Sequence, residues 1–150
     1  MSEVTPIPDE FAPPFHRALK IRMGLGAAGE GVAWVDVDPE VHYGNRWVHG
    51  GLAGALADIA SGVAIARAIG NPESAIDGTI DLKINFLRKV VEGDLTATAT
   101  ILHLGRRVAV TEVAMTSGGT LVAKAVATFM LRRPEPGDAA AEALRSSEDA

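Results

Sequence analysis

Apolar and polar residues alternate over four segments in the second half of the chain. In the clearest segment, Thr79 to Leu87, one face carries Ile80, Leu82, Ile84 and Phe86, and the other carries Thr79, Asp81, Lys83 and Asn85. A period of two is typical of strands with one buried face. The runs 95–101, 108–116 and 121–129 predict three more strands, the last with odd-numbered residues 121 to 129 inside. Hairpin turns are expected at Gly93-Asp94, Gly105-Arg106 and Gly118-Gly119.

The segment Gly51–Ile69 follows a different pattern, because it is apolar on all sides with Asp58 and Arg67 as its charged residues. Its Ala-rich composition predicts a helix, and Gly70 followed by Pro72 predicts its end. The length approaches that of a membrane span. A central Asp58 would be costly in lipid, and the strands that follow favour a soluble fold. We therefore expect a core helix enclosed by the sheet.

The first half of the chain is less regular. We predict a flexible N-terminal arm over 1–14, a short amphipathic helix over 15–23 ended by glycines, a strand over 32–37 and a loop over 39–48. The acidic segment 134–150 is expected to be a disordered tail or a frayed helix. The predicted order is one strand, the buried helix and four antiparallel strands, which makes a single α+β domain over 15–133.

Charge and composition narrow the function classes. The 150-residue chain has a net charge of −5 and contains no cysteine. Disulfides and thiolate metal sites are therefore excluded, and a cytoplasmic location without a signal peptide is expected. The acids concentrate at both termini, whereas residues 16–133 carry 13 basic and 11 acidic residues. This slight excess is too small for a nucleic-acid interface but sufficient for a few phosphates of a small molecule.

Candidate chemistry gathers on the predicted helix. His49-Gly50-Gly51 marks its entrance, where free backbone N–H groups could stabilise an oxyanion. Asp58 lies about two and a half turns further along. Burying its charge is costly, so it is either a structural acid paired with Arg67 or Lys83 or a reactive group. The histidines lack metal-site spacing, and no G-x-S-x-G elbow is present, so we expect no metal and a carboxylate that activates water or attacks directly.

These motifs together carry a family resemblance. The sequence His49-Gly50-Gly51-Leu52, then Asp58, Thr79-Ile80-Asp81-Leu82, Phe86-Leu87-Arg88, Gly105-Arg106 and Leu121-Val122-Ala123 resembles the hotdog thioesterases of the phenylacetate-degradation type over roughly residues 30–131. The resemblance implies a hotdog fold, a curved antiparallel sheet wrapped around a long buried helix. It also implies a homodimer or a dimer of dimers with shared active sites.

The resemblance further assigns roles. Asp58 would be the general base or nucleophile, the Gly50 N–H would polarise the thioester carbonyl, and His49 would order the helix entrance. Thr79 would approach Asp58 of the partner chain and help to place the water.

The resemblance also implies an acyl-CoA substrate, with coenzyme A as part of the substrate and no other cofactor. The expected substrate-binding and CoA-binding residues are Tyr43, Asn45, Gly51, Arg88, Arg106 and Arg107. Family members usually carry Asn six residues before the His, where this chain has Tyr43, so substrate orientation could differ. Two alternatives remain open, a non-catalytic acyl-CoA sensor and an enoyl-CoA hydratase or dehydratase. Neither nucleic acid nor membrane is an expected partner.

Overall fold

The computed structural model describes residues 3–70 and 75–132. The strands are β1 (Val4–Pro6), β2 (Arg22–Gly26), β3 (Gly31–Asp36), β4 (Ile76–Phe86), β5 (Asp94–Leu104), β6 (Val108–Ser117) and β7 (Thr120–Leu131). The helices are α1 (Pro14–Ala18), α2 (Pro39–His42) and α3 (Gly50–Ile69), with a 3₁₀ turn at Asp9–Phe11. The predicted tail over 134–150 lies outside the described residues.

Within the described residues, the seven strands form one antiparallel sheet in the order β1-β2-β3-β5-β6-β7-β4. Helix α3 packs against strands from β2 to β7. Its residues Leu56, Ala57 and Ala60 are fully buried, and they join inward residues of β3, β5, β6 and β7 in one core cluster. This arrangement confirms the predicted hotdog fold, in which a curved sheet encloses a central helix.

The ends and the rotation of α3 are fixed by local contacts. Gly70 ends the helix in the left-handed conformation, with φ of 77°, as its position predicts. Gly31 of β3 lies so close to the helix that a Cβ there would clash with the Ala60 carbonyl oxygen. The buried Thr111 hydroxyl of β6 donates to Ser61 Oγ at 2.7 Å. These contacts hold one side of α3 against the sheet.

Helix α3 is also long and apolar enough to cross a membrane by length and composition, but just over half of that stretch is buried inside the protein. A core helix passes the same test, and the packing of α3 against the sheet agrees with that interpretation.

Two β-bulges shift the alternation that the sequence predicts. In β4, Thr79 pairs with Phe129 and Asp81 with Thr128, so Ile80 is an extra residue. Ile80 is 55% exposed, and Thr79 moves to the helix-facing side that also carries Leu82. In β7 the same slip at Val122 buries that residue and leaves Leu121 exposed. The predictions of inward-facing Ile80 and Leu121 are therefore wrong.

The N-terminal third also differs from the expectation. Helix α1 covers Pro14–Ala18 alone, and Arg22–Gly26 forms β2 in place of the end of a helix. Val4–Pro6 pairs with β2, which corrects the prediction of a flexible arm for these residues. Gly93 precedes β5 with a φ of 82°, but β4 and β5 are not neighbours in the sheet, so it does not close a hairpin. The turns at Gly105 and Gly118-Gly119 do connect paired strands, as predicted.

Candidate active site

The entrance of α3 is built by two histidines with different tasks. The His42 ring accepts from the Asp38 N–H at 2.9 Å, and its Nε2 lies 2.7 Å from the Leu19 carbonyl oxygen. The His42 carbonyl oxygen in turn accepts from the His49 N–H at 2.8 Å. His42 is buried, so this network anchors the loop that leads into α3. The sequence gives no signal for His42, because a lone histidine in a loop belongs to no recognisable pattern.

His49 caps the helix with its side chain. Its Nδ1 accepts from the Gly51 N–H at 2.8 Å, so the ring occupies one of the free donors of the first turn. Gly50 is the first helical residue and is solvent-exposed, and no described residue accepts a hydrogen bond from its N–H. A Cβ at Gly50 would meet the Phe86 ring at 3.3 Å. The entrance therefore presents one free backbone donor beneath an aromatic ring.

A cavity of about 330 Å³ opens beside this donor. Its wall is mostly apolar, and Lys89 lies over the Trp47 ring at 4.0 Å from the ring centroid. The contact between Trp47 and Lys89 leaves no signal in the sequence, because it depends on two loops that meet only in the folded chain. The cavity is lined by Trp47, Val48, His49, Gly50, Ala53, Phe86, Leu87, Arg88, Lys89, Val90, Leu95, Val122 and Ala123. A non-polar chain with a carbonyl near Gly50 fits these surroundings.

Asp58 occupies the middle of α3 and is half-buried. Its Oδ1 accepts a hydrogen bond from Thr79 Oγ1 at 2.5 Å. Thr79 reaches the carboxylate because the bulge at Ile80 turns it toward the helix. The contact forms within one chain, whereas sequence analysis expected it across a subunit boundary. That expectation is wrong for this pair, because β4 of the same chain already packs against α3.

Asp58 forms no ion pair within the described residues. The Lys83 ammonium donates to Asn85, and no salt bridge connects Arg67 to the carboxylate. The alternative in which Asp58 is a structural acid held by Arg67 or Lys83 therefore has no support. A half-buried carboxylate with a hydroxyl donor and no cation can accept a proton or attack a carbonyl carbon.

The remaining predicted binding residues are dispersed. The Tyr43 hydroxyl donates to the Val91 carbonyl oxygen, so this contact ties the side chain to the neighbouring loop. Asn45 is exposed in the turn before the helix. Arg88 lines the cavity, and its Nη1 donates to the Leu121 carbonyl oxygen at 2.9 Å.

Arg106 and Arg107 lie in the turn between β5 and β6, at the opposite end of the sheet from Arg88. About nine residues of β6 separate the two positions, or about 30 Å. One chain therefore does not bring the three arginines together, and their common role in binding coenzyme A stays a prediction.

No group of three or more His, Asp or Glu residues suited to a metal ion occurs among residues 3–70 and 75–132. The expectation that the protein uses no metal stays a prediction.

Comparison with known proteins shows the family to which the chain belongs. The model of the thioesterase superfamily matches residues 46–124, a segment that includes the helix entrance, Asp58 and Thr79. A protein of Halobacterium salinarum is 41% identical over 68 residues, which are 45% of this chain and 44% of that protein. The medium/long-chain acyl-CoA thioesterase YigI of Salmonella typhimurium is 31% identical in an alignment of 134 positions, and that alignment covers 79% of this chain and 85% of that protein.

A solved structure shares the fold. A single-residue variant of the phenylacetic acid degradation protein PaaI from Thermus thermophilus superimposes with a TM-score of 0.67 and 28% sequence identity. The match covers 80% of this chain and 99% of that one.

Proposed function

Because the chain belongs to the thioesterase superfamily, we propose that it is a thioester hydrolase that converts acyl-CoA to a free acid and coenzyme A. The observation that carries this proposal is the half-buried Asp58 carboxylate, which accepts a hydrogen bond from Thr79 and has no cationic partner among the described residues. Such a carboxylate is a suitable base or nucleophile. Relatives named as acyl-CoA hydrolases support the choice of substrate class.

Hydrolysis in this proposal uses three groups, the Asp58 carboxylate, the Thr79 hydroxyl and the Gly50 N–H. Asp58 either removes a proton from a water molecule as its oxygen attacks the thioester carbon, or attacks that carbon itself. The Thr79 hydroxyl helps to place the reacting water beside the carboxylate. The Gly50 N–H donates to the oxygen of the tetrahedral intermediate, assisted by the positive end of the α3 dipole. The C–S bond then breaks, and the departing thiolate takes a proton from the Asp58 carboxyl group or from solvent. If Asp58 is the nucleophile, the acyl group remains on it as a mixed anhydride, which water hydrolyses to release the free acid and restore the carboxylate.

The spacing of these groups favours an active site shared by two chains. Gly50 and Asp58 are eight residues apart on one helix, which corresponds to about 12 Å. Both groups must lie near 3 Å from the same carbonyl, so one chain is too widely spaced to supply them together. We therefore expect Gly50 of one protomer to meet Asp58 and Thr79 of its partner. The assembly would be a dimer or a dimer of dimers.

A shared site also gives the separated arginines a role. In a two-fold pair with antiparallel helices, the partner's β5–β6 turn lies toward the helix entrance of the first protomer. Arg106 and Arg107 of one chain could then join Arg88 and Lys89 of the other around the coenzyme A phosphates. Charge-assisted bonds from arginine suit phosphate oxygens. We place the enzyme in the cytoplasm, where acyl-CoA is accessible and proteins are ordinarily without disulfides.

A thiol-release assay with a panel of acyl-CoAs tests the proposal. We expect hydrolysis of at least one medium-chain or aromatic acyl-CoA by the wild-type protein. Hydration of an enoyl-CoA without thiol release would assign a hydratase instead. Acyl-CoA binding by calorimetry with no turnover would assign a sensor, an interpretation that the exchange of Asn for Tyr43 keeps open because Tyr43 is tied to Val91.

A further inference from the structure

A second titratable side chain lies near Asp58 but has no part in the mechanism above. His16 belongs to α1, in the segment that leads into β2, and Leu19, Ile21 and Met23 of this segment pack against the core cluster that contains α3. The Nδ1 atom of His16 is buried and has no hydrogen-bond partner among the described residues. A buried polar atom without a partner is costly, so its retention calls for a reason.

Asp58 has a carboxylate oxygen that could accept a hydrogen bond from this atom. Its Oδ1 accepts from Thr79, whereas no described residue donates to its Oδ2. Burial holds the pKa of His16 below its usual value, and the negative charge of Asp58 partly offsets this lowering. His16 is therefore a neutral imidazole at neutral pH, with a single N–H to place.

We propose that His16 is a positioning residue, which donates its Nδ1–H to Oδ2 of Asp58 when the site is organised for hydrolysis. The terminal torsion of an aspartate is broad, so the single bond from Thr79 leaves the carboxylate free to turn. A second bond from His16 fixes both oxygens. The two donors come from different ends of the strand order, since Thr79 lies on β4 and α1 leads into β2.

This inference rests on the proposed function but concerns a part of the chain outside the family match at 46–124. The orphaned Nδ1 and the free Oδ2 lead to it, together with the packing of the α1–β2 segment against the core.

Kinetics of three variants test the role of His16. In His16→Asn the amide nitrogen takes the place of Nδ1, whereas in His16→Gln it takes the place of Nε2. We expect His16→Asn to keep kcat within about threefold of wild type, and His16→Gln and His16→Ala to lose about tenfold in kcat with little change in KM. Equal losses in all three variants, or a wild-type kcat in His16→Ala, would overturn the proposal.

Nuclear magnetic resonance tests the pairing without any turnover. The pKa of His16 should fall in Asp58→Asn, because the charge that raises it has been removed. The wild-type protein, titrated under the same conditions, serves as the reference. An unchanged His16 titration would overturn the pairing. If no acyl-CoA is hydrolysed by the wild type, the proposed function fails, and this titration still decides whether His16 and Asp58 interact.

Discussion

The entrance and the middle of α3 supply reactive groups of opposite kinds. At the entrance the group is the Gly50 backbone N–H, left free because the His49 ring occupies the next donor. In the middle the group is the Asp58 side chain, held by a hydroxyl that a bulge brings into reach. The first depends on where a helix begins, and the second depends on a residue type and on the register of a neighbouring strand. Substitutions therefore have to be chosen differently for the two regions.

The largest effect is expected at Asp58. Asp58→Asn should lower kcat by about 10²- to 10⁴-fold, because the amide neither accepts a proton nor attacks the thioester. The melting temperature should be unchanged or higher, since a nearly isosteric neutral group replaces a half-buried charge. Both quantities are measured on one preparation. If Asp58 were a buried ion-pair partner, the variant would instead lose about 3–5 kcal/mol of stability and keep its turnover.

The entrance is tested by removing a backbone donor. Proline is tolerated at the first position of a helix, and His49 has the extended ψ of 133° that a residue before proline requires. Gly50→Pro should therefore preserve the fold and lower kcat by about 10²- to 10³-fold through loss of the oxyanion donor.

Gly50→Ala is the matched control, because it adds a Cβ beside Phe86 and keeps the N–H. Phe86 is 60% exposed and can move aside, so this variant should lose far less activity. Equal losses in Gly50→Pro and Gly50→Ala would show that crowding, and not the donor, is responsible.

Mixing the two inactive variants tests whether one active site joins the two regions from different chains. When Asp58→Asn and Gly50→Pro chains are unfolded, mixed and refolded together, about a quarter of the wild-type activity should return. Half of randomly paired dimers are mixed, and each mixed dimer has one complete site of two. No recovery in dimers verified by mass spectrometry would mean that each chain supplies both groups. A monomer by light scattering at micromolar concentration would also contradict the shared site.

A smaller effect is expected at Thr79. Thr79→Val removes the hydroxyl but keeps the shape of the side chain, and kcat should fall about tenfold because a hydrogen bond to the carboxylate is lost. Thr79→Ser retains a hydroxyl and should stay within a few-fold of wild type. Steady-state kinetics with one acyl-CoA separate the two variants. Identical behaviour of the valine and serine variants would remove the hydroxyl from the mechanism.

The smallest effect is expected at the distant turn. Arg106→Ala should raise KM for acyl-CoA a few-fold and leave kcat unchanged, because the side chain would meet the nucleotide and not the reacting carbonyl. A short thioester without a nucleotide serves as the control substrate and should be hydrolysed equally by both proteins. If KM rose equally for both substrates, Arg106 would not bind the nucleotide end.

The sequence predicted the elements that have a regular pattern of apolar residues, and it missed the short strands and the bulges that interrupt such a pattern. Helix α3 and strands β3 and β5 follow regular patterns, and all three were predicted close to their bounds. Strands β1 and β2 were missed because they are short and β2 contains Gly24 and Gly26, which lower strand propensity. Register slips at Ile80 and Val122 leave no local signal, since the pairing partner determines which residue is extra.

In the candidate site, too, the residues of one continuous segment were predicted from the sequence, whereas the contacts between segments of one chain were not. His49, Gly50 and Asp58 belong to one continuous segment, so their order along α3 follows from spacing alone. The contact between Thr79 and Asp58 was expected from resemblance, but its location within one chain depends on the bulge. His16 carries no sequence signal, because its interest arises from a buried atom in a folded context. The separation of Arg88 from Arg106 likewise requires the sheet topology.

The extra residue at Ile80 allows Thr79 to face Asp58 while Leu82 and Ile84 face the core, which a regular strand would not allow. In uninterrupted alternation, Thr79 would share a face with Asp81 and Lys83, and moving it toward the helix would also turn Leu82 and Ile84 outward. Because Ile80 is an extra residue, the odd-numbered Thr79 faces the helix before the bulge and the even-numbered Leu82 and Ile84 face it after the bulge. Deleting Ile80 should therefore remove the bulge and leave both Thr79 and Leu82 facing the helix, because Thr79, Asp81 and Leu82 then alternate without interruption. Sequence alignments of this strand need a gap at this position wherever a relative lacks the bulge.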